Sequence, residues 1–164
     1  MRLTQSSFAS GAERENEFYD STNYGWTFML LNLRHYLERH ADEPRLVAWP
    51  RCKVELGRQA IYDKLTGPRD IFAEEAQKNL RAGAAYKLLT ATGEVWSGRV
   101  EFVVPPRGFC VTVESLNNAL AWLTIEGAGP RHDVQLWFST YGLPQAQVKE
   151  LEARWAAELK RMFA

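Results

Sequence analysis

Three histidines, two cysteines and a handful of serines and glycines are the residues with which this chain could do metal, acid–base or nucleophilic chemistry, and their spacing argues against most of it. His35 and His40 stand five residues apart, a step that separates them around a helix, and neither has the acidic partner of an HExxH pair. Both are expected at the surface or as caps. His132, between Arg131 and Asp133, is the candidate for acid–base work, with a solvated turn as the plainer expectation. Cys52 and Cys110 form no CxxC, and neither lies near a histidine in sequence. Ser97 and Ser139 lack the Gly-x-Ser-x-Gly elbow. Nucleophilic catalysis, a disulfide framework and a thiolate zinc site are therefore unsupported. Gly93, Gly98, Gly108, Gly127 and Gly129 are spaced as hairpin punctuation and not as a phosphate cradle. No catalytic residue, metal ligand or cofactor is assigned.

Binding is better served, because the aromatic residues are the richest feature. Trp96, Trp122, Trp137 and Trp155, with Phe102, Phe109 and Phe138, read either as ordinary core or as the lining of a hollow. Tyr86 and Tyr141 would supply the few polar handles that such a pocket uses.

The elements that must position these side chains change period along the chain. Residues 24–39 repeat Trp26, Met29, Leu30, Leu33, Tyr36 and Leu37 at helical spacing behind candidate N-caps at 20–23. Phe28 and Leu31 fall outside that stripe, so the helix is expected to be covered on more than one side. Ahead of it, 2–8 suits a short strand and 9–19 a loop or irregular helix. Pro44, within 41–45, marks the best linker. Residues 46–56 are β-prone with a break at Pro50. Residues 58–65 form a short helix ended by Gly67-Pro68, and 71–81 one or two further helical turns.

From residue 84 the period becomes two. Strands at 86–90, 94–104, 109–114, 119–126 and 133–141, separated by hairpin turns, make an antiparallel meander. Trp96, Val100, Phe102 and Val104 share one face, continued by Phe109, Val111 and Val113 and by Val134, Leu136 and Phe138, while the opposite face is expected to be wet. In the fourth strand Ala121, Leu123 and Ile125 compete with Leu120 and Trp122 for the inner side. Residues 143–163 form a final helix with Pro144 near its first turn. Its stripe of Val148, Leu151, Trp155, Leu159 and Met162 packs on the concave apolar face.

A chain of 164 residues can hold one domain, or one and a fraction. Twenty basic residues balance twenty acidic ones, which argues against a nucleic-acid partner or a polybasic membrane clamp. No apolar run reaches the ~18 residues of a membrane span and no signal peptide opens the sequence, so no membrane insertion and a cytoplasmic location are expected.

This order of elements resembles the helix-grip fold of START-like, or SRPBCC, proteins, an α+β class in which a curved antiparallel sheet wraps a long C-terminal helix. Within that superfamily the chain is most similar to the branch homologous to the activator of heat-shock-protein-90 ATPase. The likeness rests on residues 52–65, on Gly93-Glu94-Val95-Trp96-Ser97-Gly98, and on the strand 136–140 followed by the helix 148–163 with Trp155. It covers roughly 45–164. Arg2-Leu3-Thr4-Gln5-Ser6-Ser7-Phe8 and the run from Gly25-Trp26-Thr27-Phe28 through Asn32-Leu33-Arg34-His35-Tyr36-Leu37-Glu38 resemble the last strand and final helix of a preceding copy. Residues 134–164 repeat that plan. Ser7 stands where the family pattern places Gly, and the second copy lacks the Asn-Leu-Arg run. The chain is thus read as a partial repeat at 1–40 and a START-like domain at 45–164.

The resemblance implies a hollow between sheet and final helix, lined by Tyr86, Trp96, Phe102, Val111, Trp122, Phe138, Tyr141 and Trp155. It would accept a small hydrophobic molecule, lipid-like or aromatic. Two competing roles are implied as well: a co-chaperone-like module that binds a protein partner through its surface, and a cyclase- or hydrolase-like enzyme that uses the same hollow. A strand and helix without the rest of their sheet cannot bury both apolar surfaces. The segment 1–40 is therefore expected either to pack on the outer side of its own sheet or to form a homodimer with Trp26, Phe28 and Leu31 at the interface.

Overall fold

A computed structural model of the chain describes residue 4 and residues 13–68, 71–73 and 80–164. The strand expected at 2–8 and most of the helical turns expected at 71–81 lie outside the described residues. Ile71 sits in a turn and Phe72 bridges to Pro68 and to Thr90.

The strands follow the period-two pattern closely. β1 (Arg45–Ala48) and β2 (Arg51–Val54) are separated by the Trp49-Pro50 break, and α2 (Arg58–Thr66) follows. The meander is β3 (Ala85–Leu89), β4 (Val95–Val104), β5 (Gly108–Val113), β6 (Ala119–Glu126) and β7 (His132–Tyr141), and the chain ends in α3 (Gln145–Met162). All strands join one antiparallel sheet in the order β1-β7-β6-β5-β4-β3. β1 and β2 share the free edge of β7, pairing with residues 138–141 and 132–135 respectively. α3 buries Val148, Leu151, Trp155, Leu159 and Met162 against the inner face of this sheet, as its stripe requires.

The N-terminal helix differs from expectation in two ways. α1 (Glu13–Arg39) starts before the candidate caps at 20–23, which lie inside it. Its buried line is Tyr24, Phe28, Asn32 and His35, with Leu31 half-buried beside it, while Trp26, Met29, Leu30, Leu33 and Leu37 face solvent. The side with more polar groups is buried because its partners wait on the sheet. Phe28 stacks on Trp122 at 4.3 Å between ring centroids, and Tyr24 meets Phe102 and Trp122 edge-on. The Tyr141 hydroxyl donates to Asn32 Oδ1 at 2.8 Å, and His35 Nε2 lies 2.8 Å from the Asn118 carbonyl. The outer face expected to be wet is therefore dry wherever α1 lies, and every residue of β5 is buried.

Two packed faces also explain the strand parities. Ala121, Leu123 and Ile125 of β6 point inward, while Leu120 and Trp122 point outward beneath α1. In β4 the register shifts between Val100 and Phe102. One extra residue reverses the alternation, so Phe102 joins the outer cluster and Val103 the inner one.

All three histidines are buried, against the surface placement expected for them. His40 stacks flat on Tyr141 at 4.3 Å, with Nδ1 2.8 Å from Glu43 Oε2. His132 Nδ1 lies 2.9 Å from the Leu56 carbonyl. Burial holds the His35 pKa below its ordinary value, with the nearby His40 and Arg39 adding to the effect and the Asn118 carbonyl opposing it. As pH falls below about 6.5 the unfolded chain takes up this proton first. Stability is accordingly full above that pH and is lost as pH falls through the lower folded value. His35→Gln retains a donor for Asn118. It is expected to cost about 1 kcal/mol at pH 7.5 and to flatten the decline in Tm between pH 7.5 and 5. Thermal melts across that range check this; an unchanged slope would refute it.

Candidate functional site

The inner layer between the sheet and α3 gathers part of the expected lining. Trp96 comes from β4, Val111 from β5, Phe138 from β7, Trp155 from α3 and Tyr86 from β3, all within one buried cluster. Trp96 lies at the centre, 5.1 Å from Trp155 and 5.6 Å from Phe138 between ring centroids, with Phe72 at 6.0 Å. These separations are those of rings in direct packing, so a bound molecule would lie beside the rings and not among them.

Phe102, Trp122 and Tyr141 lie on the other side of the sheet, beneath α1. The bulge in β4 moved Phe102. Trp122 and Tyr141 were displaced because a helix covers the outer face, so apolar or aromatic character no longer marks the inner side. Of the expected interface residues, Phe28 is fully buried against Trp122, Leu31 packs on the same outer cluster, and Trp26 remains on the outside of α1.

The polar handles also differ from expectation. The Tyr86 hydroxyl donates to the Thr112 carbonyl at 2.7 Å, and burial raises its pKa, so it is a neutral, committed donor. The Tyr141 phenol is raised by burial too, with Arg45 opposing, and serves Asn32 of α1. The open polar atom of the inner layer is one that sequence reading treated only as lining. Trp155 Nε1 is buried, and among the described residues no acceptor lies within hydrogen-bond distance. Tryptophan in an apolar helical stripe carries this donor by its chemistry, but the stripe alone cannot tell whether a strand opposite offers an acceptor.

Neither cysteine is poised for nucleophilic work at neutral pH. Burial pushes the Cys52 thiol up to about 11, and that of fully buried Cys110 well above its ordinary value. Among the described residues no group of histidine, cysteine and acidic side chains could hold a metal ion. Among the same residues no helix is long and apolar enough to cross a membrane.

Among the described residues, clefts open toward either end of α3. One of about 430 Å³ lies between Glu94, Val95 and Leu116 on the sheet side and Gln147, Leu151 and Arg154 on the helix, with Arg154 and Glu94 paired at 2.8 Å. The other, about 640 Å³, is bounded by Lys53, Leu56, Lys64, Arg131, Met162 and Phe163. Each is bounded on one side by α3, whose buried stripe carries Trp155 toward the sheet.

No protein-family model and no curated protein matches the sequence. Solved structures do match by shape. The Aha1 dimer from Colwellia psychrerythraea aligns with a TM-score of 0.53 at 14% identity, over 72% of this chain and 93% of that one. SSP2350 from Staphylococcus saprophyticus gives 0.55 at 13% identity, over 72% and 89%. DynU16, described as a putative protein in the dynemicin biosynthetic locus, gives 0.53 at 18% identity over 70% of this chain and 45% of its own, so the chain spans less than half of that protein. The matched share is about the size of the region 45–164 without α1. The likeness is one of architecture, and it agrees with the sheet order and the position of α3: the chain has the START-like, helix-grip fold.

Proposed function

We propose that the chain is a non-catalytic binding domain that takes a small, largely apolar molecule with a hydrogen-bond acceptor into the layer between the sheet and α3. The observation that carries this reading is the buried Trp155 Nε1–H, set among apolar side chains with no acceptor among the described residues. A buried donor left unpaired costs about 1–3 kcal/mol. A ligand carbonyl or ether oxygen at that point recovers the cost, while the rest of the molecule contributes about 25 cal/mol per Å² of apolar area removed from water. The helix-grip fold shared with the neighbours supports the same layer as the place to look.

Native mass spectrometry of freshly purified protein tests for a retained ligand. Titration with cis-parinaric acid, a fluorescent fatty acid, then measures affinity. Trp155→Phe keeps an aromatic ring and removes the donor, and is expected to weaken binding about tenfold with the melting transition still cooperative. In the wild type the Trp155 indole N–H resonance should shift on addition of the probe. No retained ligand and no probe binding, or equal binding by wild type and Trp155→Phe, would overturn the reading.

A further inference from the structure

The middle of α3 is fastened to the sheet by polar contacts on both flanks of its buried stripe. At about 100° per residue, Glu152 and Arg154 fall about 80° to either side of the line through Leu151 and Trp155, so each reaches a different edge of the sheet. On one flank the Arg154 guanidinium meets Glu94 at 2.8 Å, in the turn between β3 and β4. On the other, Glu152 Oε1 accepts from the backbone N–H of Trp49 at 3.4 Å, in the break between β1 and β2. β3 and β1 are the two ends of the strand order.

Both anchors are fixed in the sheet. The Glu94 N–H donates to Thr90 Oγ1 at 3.0 Å, and the Glu94 carbonyl accepts from the Thr90 N–H at 2.7 Å, which closes the turn. The Trp49 ring packs on Trp137 at 4.3 Å with Arg51 over its face at 4.5 Å, and its Nε1 donates to Gln135 at 3.1 Å. A break at either contact therefore frees the helix and leaves the sheet edge in place. Glu94 and Arg154 also stand on opposite walls of the cleft of about 430 Å³, so their pairing crosses it. The helix wall of that cleft includes Leu151, one turn before Trp155.

We propose that these two contacts are clips that hold α3 closed over the inner layer, and that the cleft crossed by the Arg154–Glu94 pair is the entrance to Trp155 Nε1. The assignment of an entrance rests on the binding role proposed for that layer. An ion pair with side chains 45% and 31% exposed suits a reversible closure, because such pairs shift an equilibrium by a factor of about two to five. Glu150 lies one turn before Arg154 on the same wall and offers the released guanidinium a second carboxylate, so opening strands no charge. The apolar stripe on either side of Trp155 stays buried, which keeps the opening local.

Hydrogen exchange of the indole N–H groups, followed by NMR on protein labelled with ¹⁵N-tryptophan, tests the clips without any ligand. Trp122 Nε1, buried in the outer layer beneath α1, is the internal reference. Arg154→Met is expected to speed exchange at Trp155 about threefold, and Arg154→Met with Glu152→Met about tenfold, while Trp122 keeps its wild-type rate. Lys149→Met, at an exposed position of α3, should leave both indoles unchanged. Equal acceleration at Trp122 would mean that the contacts support the whole fold, and it overturns the proposal. So does an unchanged rate at Trp155, or a wild-type Trp155 indole that exchanges without protection. Stopped-flow mixing with cis-parinaric acid then tests the entrance: in Arg154→Met, kon and koff should rise together with Kd within about twofold. Unchanged kon and koff in a variant whose exchange accelerates overturn the entrance. A probe that fails to bind while the exchange pattern holds refutes the binding role and leaves the clips standing.

Discussion

Gly108→Ala is expected to remove ~4 kcal/mol or more of folding stability, because a Cβ there meets a closer collision than at any other of the described glycines. Gly108 opens β5 at φ +155, a conformation L side chains rarely adopt, and a Cβ built there falls 1.9 Å from the Leu123 carbonyl oxygen. That oxygen belongs to the backbone of β6, in register with Gly108 opposite Thr124 and Phe109 opposite Leu123. Relief requires opening the ladder at the centre of the sheet. The Tyr24 hydroxyl of α1, 3.0 Å from the same point, would be displaced as well, so the helix would lose its seat along with the strand. Gly93 gives the comparison. Its φ is +82 but nothing lies within 4 Å of the added Cβ, so Gly93→Ala should cost only the ~1–2 kcal/mol of conformational strain. Urea denaturation of both variants checks the difference; two equal losses would show that φ alone, and not the backbone collision, sets the cost.

The strands and α3 were legible because their alternation and stripe are statements about one buried face, and that face exists. Trp96, Val111, Phe138 and Trp155 lie together for this reason. The departures come from places where hydrophobicity and burial part company. On α1 the more apolar side, Trp26 to Leu37, faces out, while the buried line includes Asn32 and His35. Their burial depends on a tyrosine hydroxyl and a backbone carbonyl more than 80 residues away in sequence, which no periodicity can register. Phe102 was misplaced by one residue of bulge, a shift that leaves no composition signal. Trp122 and Tyr141 lie outward because α1 covers that face of the sheet, and aromatic character alone does not tell one covered face from the other. The open donor on Trp155 required both walls of the layer to be known.

The group least visible in sequence carries the second large effect. Arg107 ends a hairpin turn, Glu17 lies in the polar stretch before the apolar stripe of α1, and Arg58 begins α2; nothing in their spacing links them. In the fold the Arg107 guanidinium, largely buried, donates to both carboxylate oxygens of Glu17 at 3.0 Å, to Glu126 at 2.9 Å and to Ser21 Oγ at 2.9 Å. Arg58 closes the group from α2, reaching Glu17 at 2.5 Å and the Gly127 carbonyl at 2.5 Å. Four charges thus balance, two of each sign, and the network ties the first half of α1 to β6 and α2.

Arg107→Met keeps most of the side-chain volume and removes the charge at its centre. Glu17 and Glu126 are then left around one remaining guanidinium, and breaking a buried pair in this way typically costs about 3–5 kcal/mol. The loss is expected to centre on α1, with faster proteolysis within residues 13–24 and faster amide exchange there than in α3. Adding Glu126→Gln to Arg107→Met tests the electrostatic cause. With one carboxylate neutralised, Glu17 and Arg58 form a balanced pair, and about 1–2 kcal/mol of the loss should return. If the double variant is as unstable as the sum of its parts, Arg107 acts through packing against Tyr24, whose ring centroid lies 5.8 Å from the guanidinium carbon, and not through charge.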